Sequence, residues 1–163
     1  MLFRICTVVV AALSLEACAS TGAVPAAFPV PPPPSLPGPP PPSIHLVVGT
    51  ALGLRGVRYR SGGSDPSGFD CSGFVWYVFA QHGVALPRTV SELYAVGERI
   101  GSDDLEPGDL VFFRTDGGTV SHVGMAIGGE EFVHAPNSRG EVRVERMGSD
   151  YWLSRYAGAR RIR

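Results

Sequence analysis

From residue 43 onward the apolar positions first repeat with helical period and then with strand period. Ile44, Val47, Val48, Ala51 and Leu52 recur at the three- and four-residue spacing of an amphipathic helix, and Ser43 stands where an N-cap belongs. A second apolar run over 74–80 closes at Gly83 and predicts a helix whose first turn holds Cys71. A third helix starts at Thr89, since Thr89-Val90-Ser91-Glu92 has the form of a capping box. After Gly97 the texture changes to short runs rich in β-branched and aromatic residues, over 110–113, 122–127, 131–134, 142–146 and 156–162. Turn signals separate them: Glu106-Pro107-Gly108-Asp109, Asp116-Gly117-Gly118, Gly128-Gly129 and Ser138-Arg139-Gly140. Helices gathered ahead of antiparallel strands predict an α+β domain.

The first 42 residues follow a different logic. Arg4 precedes an apolar stretch over 5–15, too short for a permanent membrane helix and suited to the core of an export signal. It ends at Leu15-Glu16-Ala17-Cys18, similar to the lipobox of bacterial lipoproteins, with Glu16 where a small residue is usual. Cleavage there makes Cys18 an acylated first residue; ordinary signal cleavage around Ala17-Cys18-Ala19 removes it instead. Between Pro25 and Pro42 lie eleven of the fifteen prolines, a composition that excludes helix and sheet and favours polyproline II. About 25 residues at ~3.1 Å each reach roughly 75 Å, the span of a spacer. The organisation is therefore a signal peptide over 1–17, an anchor site and proline-rich linker over 18–42, and one domain over 43–163.

Charge narrows the function. Fourteen basic against fifteen acidic residues leave a formal charge of −1, without the basic excess of a nucleic-acid binder. Cysteine narrows it further. Cys6 leaves with the signal and Cys18 is lipidated or lost, so Cys71 is the one free thiol in an oxidising compartment. Three turns (Gly62-Gly63, Asp65-Pro66, Ser67-Gly68) deliver it to a helix start, where the helix dipole and unpaired N–H groups favour thiolate. His45 sits off the apolar face of the first helix and His82 ends the second, so both read as solvent-facing. His122 opens one strand and His134 closes the next. The Gly128-Gly129 turn makes those strands a hairpin and brings both imidazoles to one end. A helix-start cysteine with two histidines suits a nucleophile, its general base and a group that orients the base.

Six segments in order resemble the NlpC family of papain-like cell-wall cysteine peptidases across roughly 44–162: Gly56-Val57-Arg58-Tyr59-Arg60-Ser61-Gly62-Gly63, Phe69-Asp70-Cys71-Ser72-Gly73-Phe74, Leu86-Pro87-Arg88-Thr89, Pro107-Gly108-Asp109-Leu110-Val111-Phe112-Phe113, Ser121-His122-Val123-Gly124 and Phe132-Val133-His134-Ala135. The resemblance implies N-terminal helices packed on a five- to six-stranded antiparallel sheet. It makes Cys71 the nucleophile, His122 the general base and His134 its orienter. Tyr59 becomes an oxyanion donor beside the Cys71 N–H, and Asp70, Ser72 and Arg88 become substrate-binding residues. Many relatives follow the Leu-Pro-Arg-Thr segment with a serine and then a glutamine, where Val90 and Leu93 stand here.

The implied activity is hydrolysis of peptidoglycan stem peptides, at the D-glutamyl–diaminopimelate link or a neighbouring bond, by an exported enzyme without cofactor or metal. Its partners are the stem peptides and a membrane reached through lipid on Cys18, with no nucleic acid. The expected state is a monomer in the cell envelope, on the periplasmic side of the outer membrane. Two rivals come from other classes. One is a catalytically silent lipoprotein that binds wall peptides, against which the intact Cys71, His122 and His134 argue. The other is a zinc hydrolase built on those three residues, for which neither H-E-x-x-H nor H-x-H is present.

Overall fold

The structure, a computed structural model, describes residues 43–137 and 140–163. The signal segment, Cys18 and the proline linker lie outside the described residues. Helix α1 (Ile44–Gly53) buries Val47 and Ala51. Ser43 occupies its N-cap, and the Ser43 carbonyl accepts from the Leu46 and Val47 N–H groups at 2.9 and 3.2 Å, but its hydroxyl makes no capping bond. A small hairpin follows, β1 (Ser64–Asp65) paired antiparallel with β2 (Gly68–Phe69). Its arms are two residues long, too short for any alternation to announce a strand. Helix α2 (Cys71–Ala80) buries Phe74, Val75, Val78 and Phe79. Helix α3 (Val90–Ala95) carries the expected capping box, with Thr89 and Glu92 bonded reciprocally.

Six strands form one antiparallel sheet: β3 (Glu98–Ile100), β4 (Leu110–Phe113), β5 (His122–Gly128), β6 (Glu131–His134), β7 (Arg143–Arg146) and β8 (Tyr156–Arg161), in the order β3-β8-β4-β5-β6-β7. Five of these match the runs read from the sequence. Strand β3 was not expected, because its only apolar member, Ile100, gives no alternation along this polar edge. The short helix α4 (Asp150–Leu153) was not expected either; one turn is too short for a helical period.

Alternation along the strands gives the sheet two covered faces. Leu110, Phe112, Val123, Met125 and Val133 pack with Phe69, Phe74, Val78 and Leu93 on the helical side. Val111, Phe113, Ala126, Phe132 and Ala159 pack with Trp152 of α4 on the other. The hairpin read from Gly128-Gly129 is present, with Met125 opposite Val133 and Ala126 opposite Phe132. Gly128 and Gly129 turn there at φ 97 and 60°, in the left-handed region where glycine costs least.

Two sequence features find structural uses. Asp109 of the Pro-Gly-Asp segment is 2% exposed, and its carboxylate accepts from Arg161 Nε and Nη2 at 2.8 and 2.9 Å and from the Glu106 N–H at 2.9 Å. A buried carboxylate is tolerated because it is paired and bonded, and this one ties the end of β8 to the start of β4. His45 is exposed as expected. His82 departs from expectation: it is half-buried, and its Nε2 lies 2.8 Å from Thr50 Oγ1, joining the end of α2 to α1. The helix-end position predicted exposure, but the packing of α1 across α2 covers it.

Candidate active site

Cys71 is the first residue of α2, and Asp70 before it is the N-cap, accepting from the Gly73 N–H at 2.7 Å. Arg88, from the loop ahead of α3, locks this start in place. It donates through Nη1 to Asp70 Oδ1 and Ser72 Oγ, both at 2.9 Å, and through Nη2 to Asp70 Oδ2 at 2.7 Å and the Gly63 carbonyl at 2.9 Å. Burial alone would raise the Asp70 pKa, but the Arg88 bonds and the Gly73 N–H prevail and hold it below the usual carboxylate range. Gly73 is required by the same close approach, since a Cβ there would sit 2.0 Å from the Gly63 oxygen and 2.7 Å from Arg88 Nη2. The three residues read as substrate-binding thus converge on one network beside Cys71. Ser72, at 6% exposure, is spent within it.

The thiol is partly buried on the helical side, and the nearby backbone N–H groups of Val123, Ser72 and Cys71 itself favour its thiolate form. Val123 is the residue after His122, so the start of β5 abuts the start of α2. Burial pushes the Cys71 thiol up, and the neighbouring Asp70 carboxylate adds to it, outweighing the three N–H groups. This corrects the expectation that the helix start alone favours thiolate. The capping carboxylate already occupies the positive end of the helix, one residue from the sulfur.

His122 and His134 meet as the hairpin requires. His122 Nε2 and His134 Nδ1 are 2.8 Å apart, a hydrogen bond between rings at 89° to each other. That separation leaves no room for an ion bridging the two nitrogens, which would lie more than ~3 Å apart as tetrahedral zinc ligands. Burial lowers the His122 pKa to about 4. Burial, then the His122 and Arg143 charges, lower that of His134 further. Thiol and imidazoles therefore rest neutral near neutral pH.

Two residues of this site carried no sequence signal. Trp152 of α4 stacks on His122, ring centroids 5.5 Å apart at 25°, and its Nε1–H donates to Glu145 Oε2. Glu145 of β7 lies with Oε2 3.7 Å from His134 Nε2. A lone carboxylate in an alternating edge strand and one aromatic after a turn are ordinary surface and core patterns. Only the pairing of β6 with β7 and the return of α4 over that face bring them to the imidazoles.

Tyr59 lies in an extended segment stitched to both neighbours: its N–H donates to the Gly140 carbonyl at 2.8 Å, and it bridges Phe69 in parallel. Its ring packs against the core beside Cys71. Burial, then the Cys71 and Asp70 charges, raise its pKa, so the hydroxyl stays protonated and able to donate. On the far side of His122 opens a cavity of about 570 Å³, lined among others by Asp116, Asn137, Arg143 and Tyr151.

The NlpC/P60 family model matches residues 56–161, which include every side chain just described. The chain belongs to the NlpC/P60 family. Among relatives, it is 47% identical over 109 residues to the Escherichia coli protein named murein DD-endopeptidase MepS/murein LD-carboxypeptidase, covering 66% of this chain and 57% of that one. It is 40% identical over 121 residues to the gamma-DL-glutamyl hydrolase of Bacillus subtilis, covering 72% of this chain and 29% of that one. Among solved structures, an NlpC/P60 family protein from Bacillus cereus superposes with a TM-score of 0.72 at 33% identity, over 75% of this chain and 41% of that one. The chain thus spans about half or less of each of these three proteins. The α+β fold, with helices on a six-stranded antiparallel sheet, is that of the NlpC/P60 domain.

Proposed function

We propose that this NlpC/P60 chain is an exported cysteine endopeptidase that hydrolyses peptidoglycan stem peptides. The observation that carries the reading is the 2.8 Å bond between His122 and His134 at the end of a hairpin whose strand β5 packs against α2, the helix that starts at Cys71. Cys71 is the nucleophile. His122 takes its proton as it attacks the scissile carbonyl and returns that proton to the leaving amine. His134 holds the His122 ring in place. The Cys71 N–H and the Tyr59 hydroxyl stabilise the oxyanion, while Arg88 with Asp70 and Ser72 shapes the substrate side of the thiol. The signal segment and Cys18 support a lipid-anchored protein of the cell envelope.

The names of the relatives divide between murein DD-endopeptidase and gamma-DL-glutamyl hydrolase, so the scissile bond is the point to measure. Digestion of purified cell walls, with products read by mass spectrometry, should release stem-peptide fragments cut at the D-glutamyl–diaminopimelate link or at a bond beside it. A wall left intact by the wild-type protein favours the silent peptide-binding reading.

Tyr59→Phe should lower kcat on the order of 10²-fold while leaving KM nearly unchanged, since the lost donor faces charge present only in the transition state. The ring should stay packed and the melting temperature unmoved. An unchanged kcat, or a large fall in melting temperature, would return Tyr59 to a packing role.

A further inference from the structure

We propose that Glu145 is a positioning residue of the catalytic centre, a fourth member that selects the tautomers of His134 and His122. The inference rests on the proposed roles of Cys71 and His122 and deepens them. His134 is 0% exposed, and its Nδ1 is engaged with His122 Nε2. Its Nε2 is buried without a hydrogen-bond partner, and the carboxylate of Glu145 stands 3.7 Å away. Glu145 is itself held from two sides, accepting from Arg143 Nε at 2.5 Å and from the Trp152 indole N–H. In the β6–β7 register His134 lies opposite Arg143 and Phe132 opposite Glu145, so carboxylate and imidazole project from the same face of the sheet.

A histidine in the orienting position is ambiguous in a way that an Asp is not, because either ring nitrogen can carry the proton. With the proton on His134 Nε2, that N–H points at a carboxylate. Nδ1 then accepts from His122 Nε2–H, and His122 Nδ1 is left as the free base. With the proton on His134 Nδ1, a bare lone pair faces the carboxylate, and His122 is forced to carry its own proton on Nδ1, where it cannot act as base. Glu145 makes the first arrangement the stable one, and its charge also favours the imidazolium that forms on His122 during attack. The other charged and titratable groups around the pair are Arg143 from β7, Asp116 from the β4–β5 connection and Tyr151 from α4, with Cys71 at the start of α2. Arg143 opposes the imidazolium, so neutralising Glu145 leaves an uncompensated cation beside His134.

The test compares Glu145→Gln, which keeps volume and an acceptor for Trp152, with Glu145→Ala, alongside wild type and Cys71→Ala on the same stem peptide. Glu145→Gln should lose roughly 10- to 100-fold in kcat with KM little changed, the range for the second partner of a functional imidazole. The acid limb of its kcat/KM profile should move to lower pH, and Glu145→Ala should lose at least as much. Nitrogen-15 NMR of histidine-labelled protein should place the His134 proton on Nε2 in wild type and shift it toward Nδ1 in both variants. A Glu145→Gln protein with wild-type kcat, acid limb and His134 tautomer overturns the proposal, while an inactive Cys71→Ala control shows that the cysteine reading still stands. An active Cys71→Ala control removes the cysteine reading itself. If Glu145→Ala unfolds, the Gln variant and its NMR signature decide alone.

Discussion

Cys71→Ala should abolish wall hydrolysis, a loss on the order of 10⁴-fold or more, with the fold unchanged. The start of α2 is capped by Asp70 and clamped by Arg88, so nothing structural hangs on the sulfur itself. A methyl group suits a partly buried first helical turn. Cys71→Ser should be nearly as inactive. The site already disfavours charge on the nucleophile, through burial and the Asp70 carboxylate, and a hydroxyl is far harder to deprotonate than a thiol. Product analysis on the same wall preparation, with a thermal melt alongside, checks both variants. Full activity of Cys71→Ala would end the cysteine-peptidase reading.

His122→Ala should approach the loss seen for Cys71→Ala, and His134→Ala should lose less activity but more stability. Removing His122 removes the proton acceptor, whereas removing His134 leaves the base present but badly placed. His134 is wholly buried against Phe132 and Trp152, so truncating it also opens a cavity there. Asn or Gln at position 134 can still accept the His122 N–H and should recover part of the rate. Should His134→Ala prove the less active of the two, base and orienter have been exchanged.

The acid limb of wild-type kcat/KM should fall near pH 4 rather than near the 6.5 of a free imidazole, because burial keeps His122 neutral until then. The same shift acts on stability. The unfolded chain takes up a proton at His122 near pH 6.5, while the folded one resists until about 4, so stability is full above 6.5 and is lost as pH falls between the two. At about 1.36 kcal/mol per pKa unit the loss is roughly 3 kcal/mol for His122 alone. Melting temperatures across that range should decline for wild type and decline less steeply for His122→Asn, in which the buried His134 still resists protonation.

Local pattern alone reveals much of this domain. The periodic residues of α1, the Thr89–Glu92 capping box and the β-rich runs of β4, β5 and β6 are properties of neighbouring residues, and the folded chain keeps them. The Gly128-Gly129 turn sufficed to bring His122 and His134 together, because a hairpin needs no distant partner. The positions of Cys71, Asp70, Arg88 and Tyr59 were legible through ordered motifs, and Asp70 and Arg88 make defined contacts in the structure.

What the sequence could not decide depends on elements far apart in the chain. Residues 64–69 read as turns and became a hairpin, since two-residue arms gain their pairing from the loop around them. His82 read as exposed and was covered by α1. The thiol read as acidified by its helix and was instead raised, because the same helix start holds a carboxylate whose own charge is kept by Arg88 from another loop. Glu145 and Trp152 gave no sign of belonging to the site. The carboxylate reaches His134 only across the β6–β7 register, and the indole only when α4 folds back over that face. Propensity and spacing act over a few residues, whereas burial and charge act on whatever the fold brings near. The positions of the proposed catalytic residues were therefore written locally, while their protonation and support were set by tertiary packing.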